Sequence, residues 1–309
     1  MFQATGSSTS SAQNPNFPDF LDIQPSRTPN NFLVPHLQNT FGARAQEDAI
    51  QRYGIAGRVW EAAYALLHYI QPMSSEFEFD PPFISSSDPH PLTMIELGSG
   101  SGIVAAAIGG KLPSKDDLII ATDLPEVCPL LRTNLCSGPV LTVRPLAWGN
   151  VQHASDISSE FFNKDRRLTH IICSDLVYFP DLLAPLLRSL IHLTSPPFTT
   201  PSPRIIISYK IRSLPKETPF WSAFGLWFEF SPLLTRANGQ TWERFGSSLF
   251  EDTIFVFVAH RRPHSYQWHL PSDDSDLLNG IGAWGTVSQK GDDTFESLLL
   301  MAMDDASLQ

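Results

Sequence analysis

An apolar run that breaks into three glycines at every second position constrains this chain more than any other feature: Met94-Ile95-Glu96-Leu97-Gly98-Ser99-Gly100-Ser101-Gly102-Ile103. Leu92 to Leu97 reads as a short buried strand, the glycines as a turn, and Ile103 to Ile108 as the start of an alanine-rich helix. Without a Cβ, the backbone of such a turn can come close to a ligand. A dinucleotide turn has the spacing G-x-G-x-x-G and rests a pyrophosphate on the helix N-terminus. Here the spacing is G-x-G-x-G, and Glu96 precedes it, where a carboxylate repels phosphate at close range. An acid in that place suits a cofactor with a cationic amino group. The plainer alternative is that Gly98, Gly100 and Gly102 only close a tight strand-to-helix corner.

The chain is long enough for one large α/β domain or two small ones: 309 residues, 42% of them hydrophobic, can build a sizeable core. A net charge of −11 speaks against nucleic acid as the main partner. Cys128, Cys136 and Cys173 have no C-x-x-C spacing and leave an odd count, which fits buried, reduced thiols better than disulfides or zinc. His68, His153 and His170 are scattered, so no metal is expected. No apolar run approaches the ~18 residues of a membrane helix, and the N-terminus lacks a signal-peptide pattern. The default expectation is a cytoplasmic monomer.

Residues 1–40 are polar and proline-rich, and are expected to be a flexible segment. From Gly57 to Gln71 a helix is predicted, with Trp60, Ala63, Leu67 and Ile70 on one face. Pro72 to Pro91 reads as a loop. Strands are then predicted at Leu92–Leu97, Leu118–Thr122, Leu141–Val143, Leu168–Cys173, Arg204–Tyr209, Trp227–Pro232 and Thr253–His260, the last two separated by a loop with an Asn238-Gly239 turn. Helical segments, the better ones Pro129–Leu135 and Asp181–Leu193, lie between most of them. Repeated β-α units imply a parallel sheet with helices on both faces, its last pair antiparallel. A domain over 41–262 would be followed by a mobile tail over 263–309, with eight acids against one lysine and a short amphipathic helix at Thr294 to Met303.

Asp123 ends the second strand, 21 positions after Gly102, near the spacing at which an acid grips ribose hydroxyls in nucleotide-binding sheets. Asp123-Leu-Pro-Glu126 is also a capping-box pattern, and the two roles can coexist. Asp175 and Tyr178 end the fourth strand, at the carboxyl edge where open α/β sheets bind ligands. Tyr209-Lys210-Ile-Arg212, with Phe220, Trp221 and Phe224, suits either a substrate-facing lip or a strand end leading into a core helix.

Glu96-Leu-Gly-Ser-Gly-Ser-Gly102, Thr122-Asp-Leu-Pro-Glu126 with Asn134 beyond it, Leu146-Ala-Trp-Gly149 and Ser174-Asp-Leu-Val-Tyr178 occur in the order and spacing of a known family. From Gly57 to His260 the chain resembles the seven-β-strand protein-lysine methyltransferases that modify chaperones and elongation factors. The resemblance implies a Rossmann-like sheet and S-adenosyl-L-methionine as cofactor. It implies a cofactor site of Trp60, Glu96, Gly98, Ser99, Gly100, Gly102, Asp123, Leu124, Trp148 and Ser174. Asp175 and Tyr178 match its D-x-x-Y motif beside the place of methyl transfer, where Asp175 would bind the arriving ammonium. They could equally cap backbone amides and pack. The stretch from Leu233 to Asp252 is longer than the family's usual connection. Three readings follow: a methyltransferase acting on a protein lysine, a small-molecule N-methyltransferase, or a non-catalytic interaction module.

Overall fold

Near-continuous apolar, largely β-branched runs in short strands dictate a sheet covered on both faces. The structure is a computed structural model that describes residues 16–18, 21–27, 35–72, 74–135, 138–162, 166–198, 202–246 and 253–307. Helices α1 (Pro35–Phe41), α2 (Ala43–Tyr53) and α3 (Glu61–Ile70), and the strand β1 (Phe77–Asp80), come first. Then follow β2 (Thr93–Leu97), α4 (Ile103–Gly109), β3 (Leu118–Asp123), α5 (Cys128–Asn134), β4 (Leu141–Pro145), α6 (Val151–Phe161), β5 (His170–Ser174), α7 (Pro180–Leu193), β6 (Arg204–Lys210) and α8 (Leu214–Trp227). The chain continues through β7 (Phe228–Pro232), β8 (Leu234–Ala237), β9 (Glu243–Arg244), β10 (Ile254–Arg261), α9 (Asp274–Leu278) and α10 (Thr294–Ser307).

Seven strands form the main sheet in the order β4-β3-β2-β5-β6-β10-β7. The pairs from β4 to β6 are parallel, whereas β10 runs antiparallel to both β6 and β7. This is the predicted seven-stranded, mostly parallel sheet. Ile95, Leu97, Ile120, Ile171 and Ile207 point to a core shared with α6, α7 and α8, while Met94, Ile119, Ile172 and Ile206 point to one shared with α3, α4 and α5. Strand order reverses at β2, between β3 and β5, which opens a crevice at the carboxyl ends of those strands.

Several expectations change. The loop predicted over Pro72 to Pro91 contains β1, which joins β8 and β9 in a small antiparallel sheet. The Asn238-Gly239 turn sits between β8 and β9, both residues with positive φ, so it belongs to a hairpin. Phe220, Trp221 and Phe224 are fully buried on α8 and therefore form core, not a lip. The tail from Pro263, expected to be mobile, packs onto the domain: Leu277 and Phe295 are fully buried, and Phe295 stacks on Trp221 at 4.9 Å. Its acids are partly paired, Asp274 with Arg188 at 2.7 Å and Asp292 with Arg262 at 3.6 Å, so charge that reads as solvated in sequence docks the segment. The helix predicted within this tail is α10. Much of the 1–40 segment, Cys136 and residues 247–252 lie outside the described residues.

Candidate functional site

The crevice at the end of β2 is built by the glycine turn. Gly98 has φ +56°, and a Cβ there would stand 2.9 Å from Leu176 Cδ2 and 3.0 Å from Trp148 Cζ2. Gly100 has φ +54°, and its Cβ would meet the Ala56 carbonyl oxygen at 3.0 Å. Both positions thus need glycine twice over, for the left-handed backbone and for the close approach. Ser99 is spent inside the turn: its N–H donates to the Thr122 carbonyl at 2.8 Å, and its Oγ accepts from Thr122 N at 3.1 Å. Asn134 Nδ2 of α5 donates to the Ser101 carbonyl at 2.9 Å and braces the far side.

Asp123 reaches across this turn. Its Oδ2 accepts from Gly100 N and its Oδ1 from Leu124 N, both at 2.7 Å. The capping box does not form, because α5 starts only at Cys128 and its N-cap is Val127. Burial pushes the Asp123 carboxyl up to about 6, although those two amides favour its charge. Glu96 is 1% exposed, and burial pushes it up to about 8 against the Ser99 hydroxyl and the Ala105 amide. Its Oε2 is buried without a hydrogen-bond partner among the described residues. An orphaned carboxylate oxygen in a cavity wall is an acceptor waiting for a donor, and a cationic donor above all.

All the expected site residues except Gly102 line one cavity of about 500 Å³. Gly102 caps α4 in a left-handed conformation and faces Leu131 of α5 and Leu135 just beyond it, so its place is one of packing. Trp60 precedes α3, donates Nε1–H to the Ile55 carbonyl at 3.1 Å, and carries the Arg58 guanidinium 4.5 Å over its ring. Trp148 meets Tyr178 edge-on at 6.4 Å. The Tyr178 phenol is held protonated, chiefly by burial and then by the charges of Asp123 and Asp175.

Asp175 departs from expectation. Its backbone is left-handed at φ +62°, and its side chain exposes no surface. Arg212 holds both oxygens, Nη1 to Oδ1 at 2.7 Å and Nη2 to Oδ2 at 2.5 Å, and Lys210 N adds a longer bond to Oδ1. An arriving ammonium therefore meets a neutralised pair and not a free carboxylate. Arg212 also lies 5.3 Å over the Trp60 ring, so one guanidinium joins the end of β5 to the segment before α3. Glu217 of α8 anchors the base of this arrangement by accepting from Tyr209 Oη, Arg212 N and Ser213 N. Neither Arg212 as the partner of Asp175 nor Glu217 as an anchor has a sequence signal beyond their clustering after β6.

A family profile described as "Lysine methyltransferase" matches residues 40–224, more than half of the chain. The mouse protein EEF1A lysine methyltransferase 3 is 29% identical over 147 residues, which is 47% of this chain and 53% of that protein, so the match spans about half of either. Among solved structures, the CurJ carbon methyltransferase has a TM-score of 0.40 at 14% identity, covering 74% of this chain and 61% of its own. Human N-acetylserotonin methyltransferase in complex with S-adenosylmethionine has a TM-score of 0.36 at 14% identity, covering 74% and 60%. Likeness at that level carries no argument about chemistry; the profile match does, and it covers the glycine turn, Asp123 and the Asp175–Arg212 pair. The chain belongs to the lysine methyltransferase family.

Proposed function

We propose that this chain is an S-adenosylmethionine-dependent methyltransferase that acts on a lysine side chain of a protein. The observation that carries the cofactor reading is Glu96 Oε2, without a hydrogen-bond partner among the described residues, in the wall of a cavity whose floor is a glycine turn. Those features fit the zwitterionic end of S-adenosylmethionine: a buried acceptor for its amino group, and a backbone stripped of Cβ atoms. Asp123 would accept from the ribose hydroxyls through the lone pairs its two amide contacts leave free. Leu124 and Trp148 would supply apolar and aromatic wall for the base, and the small Ser174 would frame it with its backbone. When bound, the cofactor supplies a methyl group on a positive sulfonium.

The chain's own residues then have to admit a neutral amine and keep competing water out. A lysine begins near pKa ~10.4, so it must lose a proton before it attacks. Asp175, its oxygens occupied by Arg212, is not free to take that proton, and the Tyr178 phenol is already protonated. The proton therefore leaves to solvent. The paired Arg212 and Asp175 offer the ammonium no net counter-charge, so the less solvated cavity favours the neutral amine and promotes that loss. Tyr178 and Trp60 act as walls that align the acceptor.

Family membership supports lysine as the acceptor group, and the net charge of −11 supports a protein over a nucleic acid as its carrier. The test is incubation with radiolabelled S-adenosylmethionine and cell extract. Label is expected on a lysine of a protein, and is expected to fall steeply with Asp123→Ala at limiting cofactor. Label confined to small molecules would contradict the protein acceptor.

A further inference from the structure

The cavity has a wall that the family motifs do not include. Asn16 and Leu21, from the polar stretch ahead of the domain, line it together with Ile55, Trp60 and Glu96. This stretch is pinned on both sides of Leu21. On one side the Asn16 carbonyl accepts from Ile55 N at 2.9 Å, and Asn16 is only 6% exposed. On the other, Gln46 Oε1 accepts from Ser26 N at 3.0 Å and from Val59 N at 3.0 Å, and Ser26 Oγ meets Tyr64 Oη at 2.7 Å, all of it buried. Gly54 has φ +55°, and a Cβ there would fall 1.7 Å from the Asn16 carbonyl oxygen, so only glycine lets the segment seat.

These anchors lead directly to the glycine turn. Ile55 and Ala56 belong to the 3-10 turn that Asn16 grips, the Ala56 carbonyl crowds Gly100, and the Ile55 carbonyl takes the Trp60 Nε1–H. Leu21 is a large apolar side chain left 37% exposed at the cavity wall. A ligand on the glycine turn would cover it and gain that burial.

We propose that the described pieces Asn16–Pro18 and Leu21–Arg27 form a strap that completes the cofactor pocket, with Leu21 as a contact that retains S-adenosylmethionine. This rests on the cofactor reading above. The strap is anchored to the 3-10 turn whose Ala56 carbonyl crowds Gly100, so it acts on the cofactor side of the cavity.

The test uses the full chain and S-adenosylmethionine itself. Affinity is read by calorimetry, and the dissociation rate by stopped-flow fluorescence of the cavity tryptophans Trp60 and Trp148. Leu21→Ala and Gly54→Ala are compared with Val287→Ala, at a position 92% exposed and outside the cavity lining. Loss of roughly a third of a leucine's burial corresponds to roughly three- to sixfold weaker binding, expressed mainly as faster dissociation. Wild-type behaviour in Val287→Ala together with that loss in the other two supports the strap. Unchanged affinity and dissociation in Leu21→Ala overturns it while leaving the cofactor reading intact. Failure of the wild type to bind overturns both. Should Gly54→Ala lose its melting transition, Leu21→Ala alone decides, since its side chain is already partly in solvent.

Discussion

At the residue scale, Glu96 and Asp123 are buried acids that the apoprotein holds partly protonated. The Glu96 carboxyl is raised from 4.5 to about 8, so between those values the folded chain keeps a proton that the unfolded chain has lost. Stability contributed by this group is full below 4.5 and is lost as pH rises through about 8. His170 has the opposite sign, because burial lowers it from 6.5 to about 4, so its effect appears as acid is added. The difference in melting temperature between wild type and Glu96→Gln is therefore expected to shift in favour of the variant from pH 5 to 8, and a pH-independent difference would contradict the buried-acid picture. Binding a cationic amino group reverses the preference at Glu96, so affinity for S-adenosylmethionine should rise over the same window with release of a proton. Asp175→Ala should leave the Arg212 guanidinium, 29% exposed, without its partner, at a cost of about 3 kcal/mol by urea denaturation. Asp123→Ala should weaken cofactor binding by about 2 kcal/mol, the worth of charge-assisted bonds to hydroxyls.

At the element scale, the docking of the last segment has a direct consequence. Phe295 of α10 fills space between Trp221 and Tyr209, so Phe295→Ala is expected to destabilise the fold by about 3–5 kcal/mol in equilibrium unfolding. A change near zero would restore the mobile tail. The main sheet was legible because its strands are local runs such as Leu118 to Thr122 and Arg204 to Tyr209, whose neighbours are helices with their own periodicity. The small sheet was not, because Phe77–Asp80 pairs with Leu234–Ala237 across a separation that no local pattern records. The same reason hid the tail: Phe295 is a single aromatic in an acidic context, and only its distant partner Trp221 makes it core. In the site, the glycines were readable because backbone geometry forces residue type there, and Glu96 because an acid inside an apolar strand stands out. The Arg212–Asp175 pair was not, since a strand end rich in Lys and Arg reads the same whether it faces solvent or a carboxylate.

At the scale of the whole molecule, one frame sets the position of everything that matters. Strand order reversing at β2 places the glycine turn, Asp123 at the end of β3 and Asp175 just beyond β5 around a single cavity of about 500 Å³. Elements ahead of the sheet close it, through Trp60 and the 3-10 turn at Gly54–Gly57. No helix among the described residues is long and apolar enough to cross a membrane. The central claim is that this cavity is shaped for a cofactor with a cationic amino group and not for a pyrophosphate. It is tested most directly by calorimetric titration of wild type and Glu96→Gln with S-adenosylmethionine and, in parallel, with NAD. Micromolar binding of S-adenosylmethionine alone, weakened at least tenfold in the variant, is the expected result; binding of NAD, or equal S-adenosylmethionine affinity in both proteins, would contradict it.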